Sequence, residues 1–384
     1  MSSFQLPEEL TLFRETLRRF VDQELIPVEQ RVQRTGEIPP DLHAALSEKA
    51  KSAGLWLLDV PETYGGQELG LLAMAVFWEE IGRTVAVPCR DYSIFGPAVG
   101  PILLGLNDAQ KERYLFPVLR GEKIPCFAQT EPDAGSDPAS MRTRAVRGAD
   151  GYVLNGVKRF ITNAENADFA QVMAVTDPDK GARGISCLLV DMKSPGVQVL
   201  STQETMMGER PSELFFDNVH VPFDNLVGNE GDGFRLAQGW INHGRIRHGA
   251  RGCGVASRCI ELAVSYAKQR RTFGAPLSER QGIQWMIADA HMEVHAARLM
   301  VYHAAAQLDN GADARSETFM VKIFGDEMSF RVADKCMQIH GGMGLTTDLP
   351  IERFWRDQRS FIITEGPSEV LRTALARQIF KSFN

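Results

Sequence analysis

The sequence predicts an α+β multidomain protein with an N-terminal helical domain over residues 1–122, a central antiparallel β-barrel domain over 123–233 and a C-terminal four-helix bundle over 234–384. Three observations lead there. Apolar residues recur at helical spacing at both ends of the chain, the middle breaks into short β-rich runs, and four long helical candidates follow Gly233. A 384-residue chain that is 44% hydrophobic has ample material for the cores of two or three domains.

In the first region Leu10, Phe13, Leu17, Phe20, Val21 and Leu25 follow helical spacing over 8–34, and 41–54 and 68–84 repeat the pattern between Pro and Gly punctuation. The middle region carries KIPCFAQT, YVLNGVKRFI, FAQVMAVT, GISCLLVDM and ELFFDNVHVP, where the Asn155-Gly156 pair predicts a hairpin turn. Helices are expected near 234–268, 279–309, 314–338 and 367–381, with stripes such as Trp285, Ala288, Met292 and Leu299 and short connections between them.

The formal charge of −7 is spread over mixed-sign surfaces, so nothing draws the chain to nucleic acid or an anionic membrane. Cysteines 89, 126, 187, 253, 259 and 336 form no CxxC pair, which predicts reduced thiols in a reducing compartment. Ser2, Phe4, Glu8 and Glu9 open the chain without a basic leader, and the apolar stretch near 69–78 is too short for a bilayer, so a cytoplasmic, unprocessed protein is expected.

Several motifs have bland readings. GARGCGVAS at 249–257 lacks the strand a dinucleotide loop needs, so its glycines predict close helix packing. His291 and His295 sit one helical turn apart without a correctly placed acid, so a polar helix face is expected and no metal. His340, near glycines at a helix end, is expected to cap carbonyls.

Four stretches carry chemistry. FAQTEPDAGSD at 127–137 runs a strand into a small-residue loop whose N–H groups can approach phosphates or a flavin edge. In RFITNAEN at 159–166, Phe160 and Ile161 make an apolar wall beside Thr162 and Asn163, which suits an aromatic cofactor but also an ordinary strand end. KQRRTFGAPLSERQ at 268–281 ends a helix on Arg270 and Arg271, an anion site or a solvated surface pair. Glu365 lies in a break between Phe361-Ile362-Ile363 and a helix opened by Gly366-Pro367. It reads as a general base whose pKa is raised by apolar walls, or as a carboxylate favoured by the helix dipole.

Together these four stretches closely resemble the acyl-CoA dehydrogenase family over essentially the whole chain. TEPDAGSD looks like its first signature, QIHGGMGLTTDLPIERFWRD at 338–357 like its second and ITEGPSEV like its catalytic segment. The resemblance implies FAD as cofactor, with Phe127, Gln129, Thr130, Gly135 and Ser136 on one side of the flavin and Phe160, Ile161 and Thr162 on the other. By the same resemblance Arg270, Thr272, Gln281, Gln338, Gly342 and Glu369 also belong to the cofactor site, mostly serving the FAD of a neighbouring subunit. That implies a homotetramer built as a dimer of dimers. Asn242, Arg245, Gly366 and Ser136 fall at positions matching substrate contacts, and Glu365 matches the base.

The implied reaction is α,β-dehydrogenation of an acyl-CoA thioester in fatty acid metabolism, with electrons passed to an electron-transfer flavoprotein. Same-fold alternatives are a flavin oxidase or monooxygenase that uses oxygen; a protein that binds acyl-CoA or FAD without turnover is a third. Departures from the family pattern are Thr364 where many relatives have tyrosine and Pro367 where they have threonine. Some relatives carry the base just before the arginine matched by Arg245, but here that position is Gly244. EGPSEV and GRIRHG also resemble a branch that handles 4-hydroxyacyl or phosphorylated acyl-CoA.

Overall fold

The computed structural model describes residues 6–383; residues 1–5, which include Ser2 and Phe4 of the opening segment, lie outside the described part. The chain divides into two compact units, Met1–Phe95 with Asn242–Asn384, and Gly96–Ile241.

The first unit is helical. Its leading helices are α1 (Glu8–Phe20), α2 (Pro40–Ser52) and α3 (Leu71–Ile81). α1 buries Leu17 and Phe20 and matches its dipole with Glu8 and Glu9 in the first turn and Arg18 and Arg19 in the last. The continuous helix expected over 8–34 instead changes register after Phe20, into a π turn at Val21–Leu25 and a 3-10 turn at Ile26–Val28 that carries Pro27. A proline there withholds an N–H from the helical ladder. α3 is buried almost throughout, Glu79 and Glu80 included. Arg298 Nε donates to Glu79 at 2.7 Å and Tyr302 Oη at 2.8 Å, which satisfies a carboxylate that would otherwise be costly to bury.

Five more helices follow: α4 (Gly233–Gln269), α5 (Gln281–Asp309), α6 (Arg315–His340), α7 (Ile351–Phe361) and α8 (Ser368–Ser382). α4, α5, α6 and α8 lie within two residues of the four expected helices, whereas α7 was not anticipated. It is polar overall yet buries Ile351, Phe354 and Phe361 on one face. The glycines of 249–257 let α4 lie against its neighbours: a Cβ at Gly254 would come 1.9 Å from the carbonyl oxygen of Glu79, and one at Gly325 would come 2.9 Å from the Cα of Gly249. His340 Nδ1 bonds the Cys336 carbonyl at 2.8 Å, as a helix-end cap should. His291 and His295 are exposed on α5.

The second unit is a sheet with short helical turns before it. Its strands are β1 (Pro125–Ala128), β2 (Arg144–Arg147), β3 (Gly151–Ile161), β4 (Phe169–Val175), β5 (Ile185–Asp191), β6 (Val197–Thr202), β7 (Ser212–Pro222) and β8 (Leu226–Val227). Their order is β6-β7-β3-β2-β4-β5-β8, with β1 added beside β4. The expected antiparallel barrel is corrected to a mixed, open sheet. β1 runs parallel to β4, and β2 meets β4 in parallel at Arg144 and Val175. Closure would require β6 to pair with β8, but β6 is an edge strand with Val199 and Leu200 half exposed, and β8 has only two residues. The expected turn at Asn155-Gly156 is also corrected. β3 runs straight through it against β7, with a bulge between Leu154 and Gly156. Gly156, at φ 150°, fits there because a Cβ would lie 2.5 Å from Thr143 Oγ1.

Candidate active site

The chemistry in the helical unit gathers around Glu365, in the turn between α7 and α8. α7 ends at Phe361, Pro367 takes the N-cap position of α8, and between them Glu365 adopts a left-handed backbone with φ 55°. Arg247 Nη2 donates to Glu365 Oε1 at 2.8 Å, and His248 Nε2 lies 3.5 Å from the same oxygen. Oε2 is buried and has no partner among the described residues. The expected apolar wall is therefore corrected. Ile363 turns outward and is 55% exposed, while Phe361 stacks on the His248 ring at 4.0 Å instead of facing the carboxylate.

The expected substrate-contact residues lie close by. Arg245 Nε donates to the Glu365 carbonyl at 3.2 Å, and Arg245 Nη1 to Asn242 Oδ1 at 3.0 Å. A Cβ on Gly366, which sits at φ 101°, would stand 3.4 Å from Arg245 Nη2. Burial pushes the Arg245 guanidinium down to about 10, against the pull of Glu365. Burial also opposes the charge of Arg247, but Glu365 and Tyr92 more than reverse that, and its pKa is raised.

Sequence reasoning missed the ring of polar groups behind the carboxylate. Arg90 Nη2 donates to Thr364 Oγ1 at 3.0 Å, and Tyr92 Oη lies 3.4 Å from Arg247 Nη1. His248 Nδ1 sits 3.4 Å from Asp326 Oδ2, and Lys322 Nζ 3.3 Å from the same oxygen. Burial holds His248 neutral, lowered to about 3, and raises Asp326 to about 7. For Arg247 and His248 the signal was the run of charged residues inside the glycine-rich GRIRHGAR segment, where packing alone asks for small apolar side chains; the others carry no such mark.

In the sheet unit, Arg159 N donates to the Thr130 carbonyl at 2.7 Å, which ties the end of β3 to the end of β1. The Phe127 to Thr130 and Phe160 to Thr162 segments are thereby neighbours. Gln129 is buried, Gly135, Ser136 and Thr162 are exposed and Ile161 is buried, while Phe127 stacks on Trp240 at 5.5 Å. Lys158 and Glu131, also missed, pin the loop: Lys158 Nζ donates to the Gln129 carbonyl at 3.0 Å and to Glu131 at 2.7 Å. The Glu131 carboxylate in turn accepts the N–H groups of Arg142 and Thr143. Arg270, Gln281, Gln338, Gly342 and Glu369 are exposed and Thr272 is half-buried, all in the helical unit. Arg280 Nη2 ties the Thr272 carbonyl to the start of α5.

Comparison with known proteins decides the family. Residues 7–122 match the acyl-CoA dehydrogenase N-terminal domain, 126–219 the middle domain and 231–380 the C-terminal domain. The chain belongs to the acyl-CoA dehydrogenase family. It is 36% identical to the mitochondrial short-chain specific acyl-CoA dehydrogenase of Mus musculus over 99% of this chain and 92% of that one. It superposes on glutaryl-coenzyme A dehydrogenase in complex with glutaryl-CoA with a TM-score of 0.88 and 32% identity, covering 99% and 97% of the two chains. A chain in a structural study of the electron transferring flavoprotein of Acidaminococcus fermentans matches with a TM-score of 0.86 and 31% identity, covering 98% and 99%.

This acyl-CoA dehydrogenase is an FAD-dependent oxidoreductase, and its sheet unit suits the cofactor. The Phe160 ring is 57% exposed and held at a left-handed φ of 58°, an uncommon backbone state for a bulky residue. Gln129 Oε1 is buried without a partner, and the space beside Gly135 is open, with only Thr130 Cγ2 at 3.9 Å from a Cβ position. An apolar ring, an unsatisfied amide and an uncrowded glycine loop together fit a flat aromatic group bearing phosphates.

Proposed function

We propose that the chain dehydrogenates an acyl-CoA thioester between Cα and Cβ, with Glu365 as the base. The observation that carries this reading is the asymmetry of the Glu365 carboxylate, which has Oε1 held by Arg247 and Oε2 buried without a partner. An unpartnered carboxylate oxygen is a proton acceptor waiting for an acid, and the α-hydrogen of a thioester is one. Arg245 fixes the Glu365 backbone through its carbonyl, so the base and its own N–H, which the family resemblance directs at the thioester oxygen, move as one piece. Phe127, Gln129, Thr130, Gly135, Ser136, Phe160, Ile161 and Thr162 would hold FAD. Once bound, FAD supplies the acceptor for the β-hydrogen.

Exposure of Arg270, Gln281, Gln338 and Gly342 in a single chain, with Thr272 half-buried, supports a role for these residues at the FAD of a neighbouring subunit, and hence a homotetramer built as a dimer of dimers; Glu369, also exposed, is taken as a further cofactor contact. An electron-transfer flavoprotein is the acceptor that the family membership favours. Among the described residues no helix is long and apolar enough to cross a membrane, and all six cysteines are buried and outside any disulfide, which supports a reducing setting. The working domains are taken as 1–122, 123–233 and 234–384.

One further observation bears on the acyl group. Arg247, Arg90, Thr364 and Tyr92, bonded to one another and to Glu365, give the neighbourhood of the carboxylate a polar character that a plain alkyl chain does not match. A short acyl group bearing oxygen substituents fits better, as the resemblance to the branch handling 4-hydroxyacyl or phosphorylated acyl-CoA also suggests.

The test is anaerobic mixing of the FAD-loaded protein with a panel of straight, hydroxylated, dicarboxylic and phosphorylated acyl-CoAs. Loss of the visible flavin absorbance with at least one of them supports the dehydrogenase. No bleaching with any would favour the non-catalytic binder. Rapid reoxidation of the bleached flavin by oxygen would favour the oxidase.

A further inference from the structure

Gly244, Arg247 and His248 occupy positions i, i+3 and i+4 of α4 and therefore share one face of that helix, the face turned to Glu365. Each meets the carboxylate differently. Gly244 leaves room for Oε2, which lies 2.0 Å from where a Cβ would stand. Arg247 bonds Oε1 at 2.8 Å, and the His248 ring edge lies 3.5 Å from Oε1. Arg247 is itself steadied by Tyr92, whose hydroxyl lies 3.4 Å from Nη1 and whose ring lies 5.9 Å from the guanidinium carbon. His248 is steadied by Asp326 and by the ring of Phe361.

We infer that Arg247 is the positioning residue of the base: it holds Oε1 of Glu365 so that Oε2 alone, in the space left by Gly244, receives the substrate proton. This rests on Glu365 being the base. Free rotation of a carboxylate presents either oxygen in many orientations, whereas a charge-assisted bond to one oxygen fixes the plane and aims the other. Both side chains are largely withdrawn from solvent, with Arg247 16% and Glu365 19% exposed, so little water competes for the contact. The opposite role is a latch that must open before Glu365 can act, and it makes the reverse kinetic prediction.

The experiment uses the FAD-loaded enzyme and its Arg247→Met and Arg247→Lys variants, mixed anaerobically with the best acyl-CoA of the panel in protiated and α-deuterated form. Affinity for an S-alkyl-CoA thioether, which has no acidic α-hydrogen, is measured alongside. Arg247→Met should slow flavin reduction by roughly 10²-fold, the scale of a misplaced reacting group. Its isotope effect on the α-position should rise, its thioether affinity should stay near the parent's, and Arg247→Lys or added guanidinium should restore part of the rate. Reduction of Arg247→Met at the parent rate or faster would overturn the inference, as would a slowed variant with an unchanged α-isotope effect. Should Arg247→Met fail to retain FAD, Arg247→Lys decides by the same isotope and affinity readings. A parent enzyme that no acyl-CoA reduces would sink the dehydrogenase reading itself, an outcome distinct from a competent parent with an indifferent Arg247.

Discussion

Glu365 Oε2 stands where a side chain at Gly244 would have to go: a Cβ on Gly244 would lie 2.0 Å from it. The two positions exclude each other, so a base in the turn before α8 requires a glycine on α4. Gly244→Ala should therefore displace the carboxylate, the free end of a flexible side chain, and leave the helix in place. We expect flavin reduction by acyl-CoA to fall by about 10²-fold, from misplacement of the base, with FAD content unchanged. Stopped-flow reduction against FAD stoichiometry checks both halves. A Gly244→Ala enzyme that turns over at the parent rate would mean that the turn at 364–366 relaxes freely.

Lys158 and Glu131 form an ion pair with both side chains almost fully withdrawn from water, 0% and 6% exposed. Lys158→Met removes one partner and strands the other, along with the Gln129 carbonyl. We expect a loss of about 3–5 kcal/mol in stability, typical of breaking a buried pair, and weaker FAD retention as the 129–143 loop loses its anchor. Lys158→Met combined with Glu131→Gln should recover part of the stability. Thermal unfolding and FAD release by dialysis are the measurements, and an unaffected single variant would show that the loop is held by its backbone alone.

Much of this was legible in the sequence wherever the cause is local. Gly366-Pro367 marks where α8 must begin, so the break that holds Glu365 could be read directly, and the spacing of apolar residues placed α4, α5, α6 and α8. What could not be read depends on residues far apart in the chain. Asn155-Gly156 has the composition of a hairpin turn, but a long partner in β7 draws β3 straight through it as a bulge. The open sheet is equally non-local: whether β6 meets β8, and that β1 runs parallel to β4, leave no mark in the residues of those strands. Arg247 and His248 lie in GRIRHG, just before the 249–257 glycines read as helix packing, and were read only as part of a family resemblance. Nothing local says that their face turns toward a carboxylate more than a hundred residues further along.

Acid stability should carry the signature of His248. Burial lowers it to about 3, so as pH falls below its ordinary value of 6.5 the unfolded chain takes up a proton that the folded protein refuses, and stability is lost on acidification. Asp326, raised to about 7 by burial, has the opposite sign: between 3.8 and 7 the folded state holds the extra proton, and stability is gained on acidification. The two offset each other in the parent. His248→Gln removes the first contribution only, so stability relative to the parent should improve as pH falls from 6.5 toward 4, by at most about 1.4 kcal/mol per pH unit. Urea unfolding of both proteins across that range checks the sign. A difference that is flat with pH would place the proton on His248 in the folded state.

The sharpest prediction concerns Glu365→Gln, which keeps the volume of the side chain and an oxygen that can accept from Arg247 Nη2, but deletes the basic oxygen. Folding and FAD binding should survive, because the sheet-unit residues are untouched and Arg245 contacts the backbone carbonyl of residue 365, not its side chain. Chemistry should not survive. General-base catalysis contributes roughly 10²–10⁴-fold, and the fall should reach the upper end of that range, because His248 is a poor substitute. Its Nε2 faces the clamped oxygen, and at a pKa of about 3 it is a weak base. Asp326, the other carboxylate of the cluster, is wholly buried behind His248. The variant should still bind acyl-CoA and perturb the oxidised flavin spectrum, so binding and turnover should separate. Single-turnover reduction of Glu365→Gln at close to the parent rate would move the base elsewhere and leave the asymmetric carboxylate without a function.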